Sequence, residues 1–360
     1  MKVCCIVETI FQLMNTLNLL INDEEYQGAE IDLFVRKGHF AHYNEYCERI
    51  RNKGIFHEIN YFKFKDYSKS NFINHLRHIT ELFWAKKIIG KAVSKDYVFK
   101  ANEYDIILAA CACQFYKMTL LCCKKAKFYA IEDGTLTYCN FNWSDLYLSP
   151  LSKILLTLYG LSDKLQPKRL YLNHPEKFSS NIKAEVLNLP NFNESINKHK
   201  ILFEDIFGKP DCDYQKTKVV FAAQPAPVPE NMTSEITQKM TCEYICRYHP
   251  RNSQDCDFGG YPDRGSSQWE LICAEYITDN HILVGGYSTA MLTPKWFFDR
   301  EPYLIFIYPI YGEKLPSETQ ETCKKIVSDI KKSYREPSKI YVVNDIRELN
   351  ELLIKLTTSQ

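Results

Sequence analysis

Apolar runs of strand length recur along this chain, separated by longer stretches with apolar residues at helical spacing. That alternation is expected of an α/β protein with a largely parallel sheet. In the first half the runs are Val3 to Val7, Ile31 to Val35, Phe56 to Phe62, Asp105 to Ala110 and Lys127 to Ile131. A second set comprises Lys218 to Ala222, Tyr244 to Tyr248, His281 to Val284, Tyr303 to Ile307 and Ile340 to Val343. Between the sets, Pro190-Asn191-Phe192-Asn193 through Lys209-Pro210-Asp211 is polar and carries proline, with a short helix predicted over Lys200 to Phe207. Near the end, Asn344-Asp345 offers a cap, Glu348 a first-turn carboxylate, and Leu349, Leu352, Leu353 and Leu356 fall at helical spacing.

Two sheets in two domains follow from this segmentation, and 360 residues are more than one ordinary core accommodates. The expected division is a first α/β domain over 1–195, a linker over 196–216, a second such domain over 217–345 and a closing helix over 346–360. No glycine-rich loop of the GxGxxG or GxxxxGK type is present, which argues against dinucleotide dehydrogenases and P-loop kinases. Gly259-Gly260 and Gly285-Gly286 read as turns.

A formal charge of +1 supplies no global field to attract nucleic acid, so none is expected as a partner. The segment from Met1 to Val7 reaches polar residues before it attains the length of a signal peptide or span, which predicts a cytoplasmic protein. The fourteen cysteines include Cys4-Cys5 and Cys122-Cys123 within apolar runs and read as buried free thiols. There is no CxxC pair, and Cys242 with Cys246 lacks a second pair at zinc-finger spacing, so no structural metal is expected. One basic amphipathic segment, Ile73 to Lys95, either packs on its own domain or lies peripherally on the inner face of an anionic membrane.

Three polar segments carry candidate chemistry, each at the end of a strand-like run. Glu132-Asp133-Gly134 places two acids and a glycine at what would be the carboxyl edge of a sheet, where ligands bind, although Asp-Gly is also a common turn. His249-Pro250-Arg251 follows another run. Proline holds His249 in an extended exit, Arg247 and Arg251 favour a nearby anion, and imidazole as a group protonates a leaving phosphate well near neutral pH. In the third segment Gly286 permits close backbone approach, and Ser288-Thr289 begin a predicted helix whose hydroxyls and N–H groups form either a phosphate site or an ordinary cap. Glu270 lies between the last two segments, placed to accept hydrogen bonds from ribose hydroxyls or to face water.

Together these residues resemble the bacterial sialyltransferases of glycosyltransferase family 52, with motif kinship to polysialyltransferases and family 80 sialyltransferases. The shared marks are an acidic pair followed by glycine, a His-Pro pair and a Ser-Ser or Ser-Thr pair. They look like Glu132-Asp133-Gly134, His249-Pro250 and Ser288-Thr289, in the expected order. Thr9-Ile10-Phe11-Gln12 looks like the family's Thr-Pro-Leu-Gln, and Thr9-x-x-Gln12 is equally a helix capping box.

The resemblance implies a GT-B architecture, two Rossmann-like domains with a cleft between them. It also implies a CMP-N-acetylneuraminic acid donor and a terminal galactose-type acceptor on a lipooligosaccharide, capsule or other glycan. No metal or other cofactor is implied. The catalytic base would be Asp133, or secondarily Glu230 of Gln224-Pro225-Ala226-Pro227-Val228-Pro229-Glu230; His249 would be the acid. Arg251, Glu270, Gly286, Ser288 and Thr289 would hold the donor. Another nucleotide sugar as donor, a silent binding role on the same fold, and a homodimer all stay open at this level.

Overall fold

The computed structural model describes the chain except for residues 38–42, 64–70, 94–98, 111–113, 124, 139–153, 155–156, 159–165, 179–181, 225–229, 250–251, 253–254, 287 and 359–360. At 43, 71–78, 82, 114, 117, 120, 135–136 and 289 it describes the backbone alone. The chain divides into two compact units, Met1–Ser195 and Ile196–Gln360.

The first unit is built on seven parallel strands: β1 (Lys2–Val7), β2 (Glu30–Arg36), β3 (Glu58–Phe62), β4 (Ile106–Ala110), β5 (Lys127–Ile131), β6 (Arg169–Leu172) and β7 (Glu185–Asn188). Their spatial order is β3-β2-β1-β4-β5-β6-β7. Central strands in such a sheet are covered on both faces, so they read as continuous apolar runs, and Val3 to Val7 and Ile106 to Ala110 are buried throughout. The chain winds outward from β1 in one direction and from β4 in the other. The carboxyl ends of β1 and β4 therefore flank the switch point, where an open α/β sheet leaves a crevice.

The second unit repeats the plan with β8 (Val219–Ala222), β9 (Ile245–Arg247), β10 (Tyr261–Asp263), β11 (Ile282–Gly285), β12 (Tyr303–Phe306) and β13 (Ile340–Val342). The order is β10-β9-β8-β11-β12-β13, all parallel, with the switch between β8 and β11. Residues 196–216 enter this unit: a helix spans Lys200–Phe207, its Phe203, Ile206 and Phe207 are buried, and Tyr214 packs in the core. A closing helix, Ile346–Thr358, buries Leu349, Leu353 and Leu356.

Each of the ten apolar runs matches one strand, its ends shifted by no more than two residues. The three additional strands are β6, β7 and β10, and for the last two the physical reason they escape a hydrophobic pattern is plain. β7 is an edge strand with mostly exposed side chains, and β10 is a three-residue edge containing Pro262. The eleven cysteines among the described residues are all free thiols, and burial raises the pKa of Cys5, Cys123 and Cys246.

One polar anchor in the second unit makes stability depend on acid. Glu301 is buried, and its carboxylate accepts from the Arg335 amide (2.9 and 3.0 Å), the Glu336 amide (3.2 Å) and Lys295 Nζ (2.6 Å). Burial alone would push this carboxyl up, but those donors outweigh it and lower its pKa from 4.5 to about 2. A depressed carboxylate contributes stability that is complete above the unfolded value and is lost as pH falls through the folded one. Glu301→Gln should therefore remove about 3 kcal/mol at neutral pH. It should also flatten the decline in melting temperature between roughly pH 4.5 and 2, as thermal unfolding across that range would show.

Candidate functional site

In the first unit, the segment leaving β1 and the segment leaving β5 converge. Thr9 caps the helix Ile10–Asn22: its Oγ1 accepts from the Gln12 amide (3.2 Å), while Gln12 Oε1 accepts from the amides of Thr9 (3.3 Å) and Glu8 (2.6 Å). The capping box uses only the oxygen of the Gln12 amide. Its Nε2 donates to Asp133 Oδ1 at 2.5 Å, joining two motifs that stand 121 positions apart in sequence. Asp133 is further located by its own amide, which donates to Thr137 Oγ1 (2.9 Å). Gly134 sits at φ +85°, a backbone region where a side chain would be strained.

The two adjacent acids have different environments. Glu132 is 1% exposed, and its Oε2 accepts from Tyr138 Oη (2.5 Å), the Asn173 amide (2.7 Å) and Asn173 Nδ2 (2.9 Å). Burial raises its pKa; the hydrogen bonds from Tyr138 and Asn173 oppose that, and the Asp133 charge adds to it. Among the described residues its Oε1 and the Oδ1 of the buried Asn15 have no hydrogen-bond partner, whereas Asn15 Nδ2 donates to the Glu132 carbonyl (3.3 Å). Tyr138 Oη also accepts from the His174 amide (3.0 Å). Glu132 is thus a buried organiser of the edge, and Asp133 is the more accessible carboxylate.

In the second unit, the segments leaving β8 and β9 are gathered by one side chain. Asn252, 7% exposed, donates through Nδ2 to the Gln224 carbonyl (3.1 Å) and to Glu230 Oε1 (3.0 Å), and its Oδ1 accepts from the His249 amide (2.8 Å). The Asn252 amide returns a bond to the His249 carbonyl (2.9 Å). His249 and Glu230, read separately from sequence, thereby share a single positioning residue. Gly286 follows β11, and a Cβ there would stand 2.8 Å from Gln224 Oε1 and 2.9 Å from Tyr311 Cε2, so the backbone runs close to the same edge.

Two expectations for this edge change. The Ser288-Thr289 segment does not open an α-helix: Thr289–Met291 is a short 3₁₀ turn, and the next helix, Thr293–Phe298, starts after it with Pro294 in its first turn. Ser288 Oγ accepts from the Ala290 amide (3.2 Å), and Trp269 Nε1 donates to the Ala290 carbonyl (2.8 Å), tying the turn to the helix Trp269–Glu275. Arg247 does not await an anion. Its guanidinium pairs with fully buried Asp263 (3.1 Å) and donates to the carbonyls of Gly265 (3.4 Å) and Ser267.

Glu270 stands in the first turn of the Trp269–Glu275 helix, half-buried. Burial raises its pKa, opposed by its own backbone amide and by the Arg247 charge. Pro250, Arg251 and Pro225 to Pro229 lie outside the described residues, as does the side chain of Thr289.

Sequence reading missed Asn15, Tyr138, Asn173 and Asn252. Asn173 follows β6, a strand without a clear pattern, whereas Asn252 stands just after His249-Pro250-Arg251 and was within reach. Among the described residues, one carboxylate and imidazole group has the proximity for a metal ion: Glu30, Asp32 and His57. Lys2 Nζ already ion-pairs with Glu30 there and lies 3.7 Å from Asp32 Oδ2, supplying the positive charge.

If Asn252 organises the second edge, Asn252→Ala should cost about 1–3 kcal/mol, because buried groups lose partners. A structural filler would affect stability alone. An organiser of His249 should also lower turnover measured well below the melting temperature, and Asn252→Asp should not rescue it, since the new carboxylate would face the Gln224 carbonyl and Glu230 with no donor between them.

No protein-family model matches this chain, and no curated protein matches it. Solved structures do. A UDP-N-acetylglucosamine 2-epimerase aligns with a TM-score of 0.50 at 10% identity, covering 99% of this chain and 87% of that one. UGT89C1 of Arabidopsis thaliana complexed with quercetin gives 0.47 at 11% identity (99% and 89% covered). The glycosyltransferase VinC in complex with DTDP gives 0.45 at 10% (99% and 91% covered). The likeness to the epimerase is one of fold: two parallel-sheet α/β domains of the GT-B type.

Proposed function

We propose that this chain is an inverting glycosyltransferase that moves sialic acid from CMP-N-acetylneuraminic acid to a terminal galactose-type hydroxyl of a bacterial surface glycan, as the family 52 resemblance implies. The observation that carries the reading is the Asn252 junction, which gathers His249 and Glu230 at the switch edge of the second sheet, beside Gly286. The GT-B fold supports it.

In this reading the second unit holds the nucleotide. Ser288, Thr289 and the backbone at Gly286 take the phosphate, Glu270 takes ribose hydroxyls, and Arg251 adds a cation. A carboxylate accepts the acceptor's proton as the acceptor oxygen bonds to the anomeric carbon. The bond from that carbon to the phosphate oxygen breaks on the opposite face, so configuration inverts. His249 donates a proton or hydrogen bond to the departing CMP, and donors fixed around the phosphate stabilise the charge developing there. No step in this scheme calls on a metal. Asp133 is the first choice of base; Gln12 Nε2 donates to its carboxylate and its own amide donates to Thr137 Oγ1, and the two bonds orient it. Glu230, held by Asn252, is the second.

One specific observation favours an alternative donor, since the epimerase of like fold is named for a UDP-sugar. The test is incubation of the intact protein with CMP-sialic acid and galactose-terminated acceptors without added metal, with products identified by mass spectrometry and NMR. A sialylated acceptor is expected. Tight UDP binding with no response to CMP would sink the sialyl reading in favour of the alternative, and absence of turnover with any nucleotide sugar would leave a binding role.

A further inference from the structure

The helix Asn71–Ala92 carries a second feature, unrelated to either edge. Its inner side is set by Ala85, Ile89 and the following Val93, buried in the core of the first unit. Its outer side carries Phe83, 55% exposed, and Trp84, 58% exposed, followed by exposed Lys86, Lys87, Gly90 and Lys91. The helix is kinked at Trp84, whose φ of −120° and ψ of 23° are non-helical, and beyond the kink Lys86, Lys87 and Lys91 share one side at 3.6 residues per turn. No acidic residue occurs between Phe83 and Lys91.

We propose that this face docks the protein peripherally on an anionic membrane surface. The argument is one of chemistry and charge. Two adjacent large aromatics exposed to water are unfavourable unless something covers them, and tryptophan is suited to the boundary between headgroups and acyl chains. Three lysines on the same face attract anionic headgroups while their alkyl stems lie along the apolar boundary. The chain's formal charge of +1 provides no general attraction, so binding rests on this patch. Among the described residues no helix is long and apolar enough to cross a membrane, and the docking is superficial. This inference stands apart from the sialyl transfer proposed above.

The test uses the full chain and vesicles of phosphatidylglycerol with phosphatidylethanolamine, compared with phosphatidylcholine alone, in flotation assays. Binding to the anionic vesicles, weakened by salt, is expected. Each lysine near such a surface contributes about fivefold, so the triple variant Lys86→Gln, Lys87→Gln, Lys91→Gln should bind roughly a hundredfold more weakly. Phe83→Ser with Trp84→Ser should also release the protein while the fold persists, as circular dichroism would show. Failure of the wild type to float, or flotation indifferent to both variants, would overturn the proposal. So would a wild-type dimer in sedimentation equilibrium that the aromatic variant splits, without vesicle binding, since the face would then belong to a second copy. The readout needs no catalysis, so its failure and that of the sialyl transfer are distinguishable.

Discussion

Replacing His249 with alanine should lower sialyl transfer by about two orders of magnitude or more while the fold persists. A positioned acid commonly contributes that factor, equivalent to about 2.7 kcal/mol in the barrier. Two backbone contacts that locate this residue support survival of the fold: the His249 amide donates to Asn252 Oδ1 and its carbonyl accepts from the Asn252 amide. Alanine retains both. Initial rates of CMP release at saturating acceptor, beside thermal melts, would check this, and a variant with nearly full turnover would remove His249 from the mechanism. If the loss appears in kcat with CMP binding unchanged, the imidazole acts in the transition state and not as a ground-state contact.

The second large effect separates the two carboxylates. With Asp133 as base, Asp133→Asn should reduce transfer by about 10²–10⁴ and leave CMP affinity near that of the wild type, since Asp133 belongs to the first unit. Asparagine can still meet Gln12 and Thr137, so a collapsed edge would not explain the loss. Glu230→Gln should then have a smaller effect, because glutamine keeps an oxygen able to accept from Asn252 Nδ2. The reverse ranking would move the base to Glu230. Glu132→Gln gives a further contrast: Glu132 is buried under three donors, so its replacement should register chiefly in stability.

How far the site could be read in the sequence depended on whether the information was local. The capping box at Thr9 and Gln12 is a matter of four consecutive residues, and it forms as read. That the free end of Gln12 reaches Asp133 is not local: it requires β4 to lie between β1 and β5, bringing their exits to one edge. Arg247 shows the converse. It looked available for an anion because its true partner, Asp263, stands opposite it in β10, a three-residue edge strand with no hydrophobic signature.

Likewise, Ser288-Thr289 reads as a helix start because hydroxyl residues favour caps, but Pro294 sits in the first turn of the helix that follows. The chain makes a 3₁₀ turn before that helix begins.

The sequence by itself determined the α/β class, the ten apolar strands and the position of Glu132, His249 and Gly286 at strand ends, because buried parallel strands must be apolar and the polar residues that interrupt them mark their exits. Tertiary structure alone decided which exits meet, that Glu132 is sealed while Asp133 stays accessible, and that Asn252 joins His249 to Glu230. Those outcomes depend on strand order, and strand order is set by pairings between distant segments, Val3 with Ile106 in the first sheet and Val219 with Ile282 in the second.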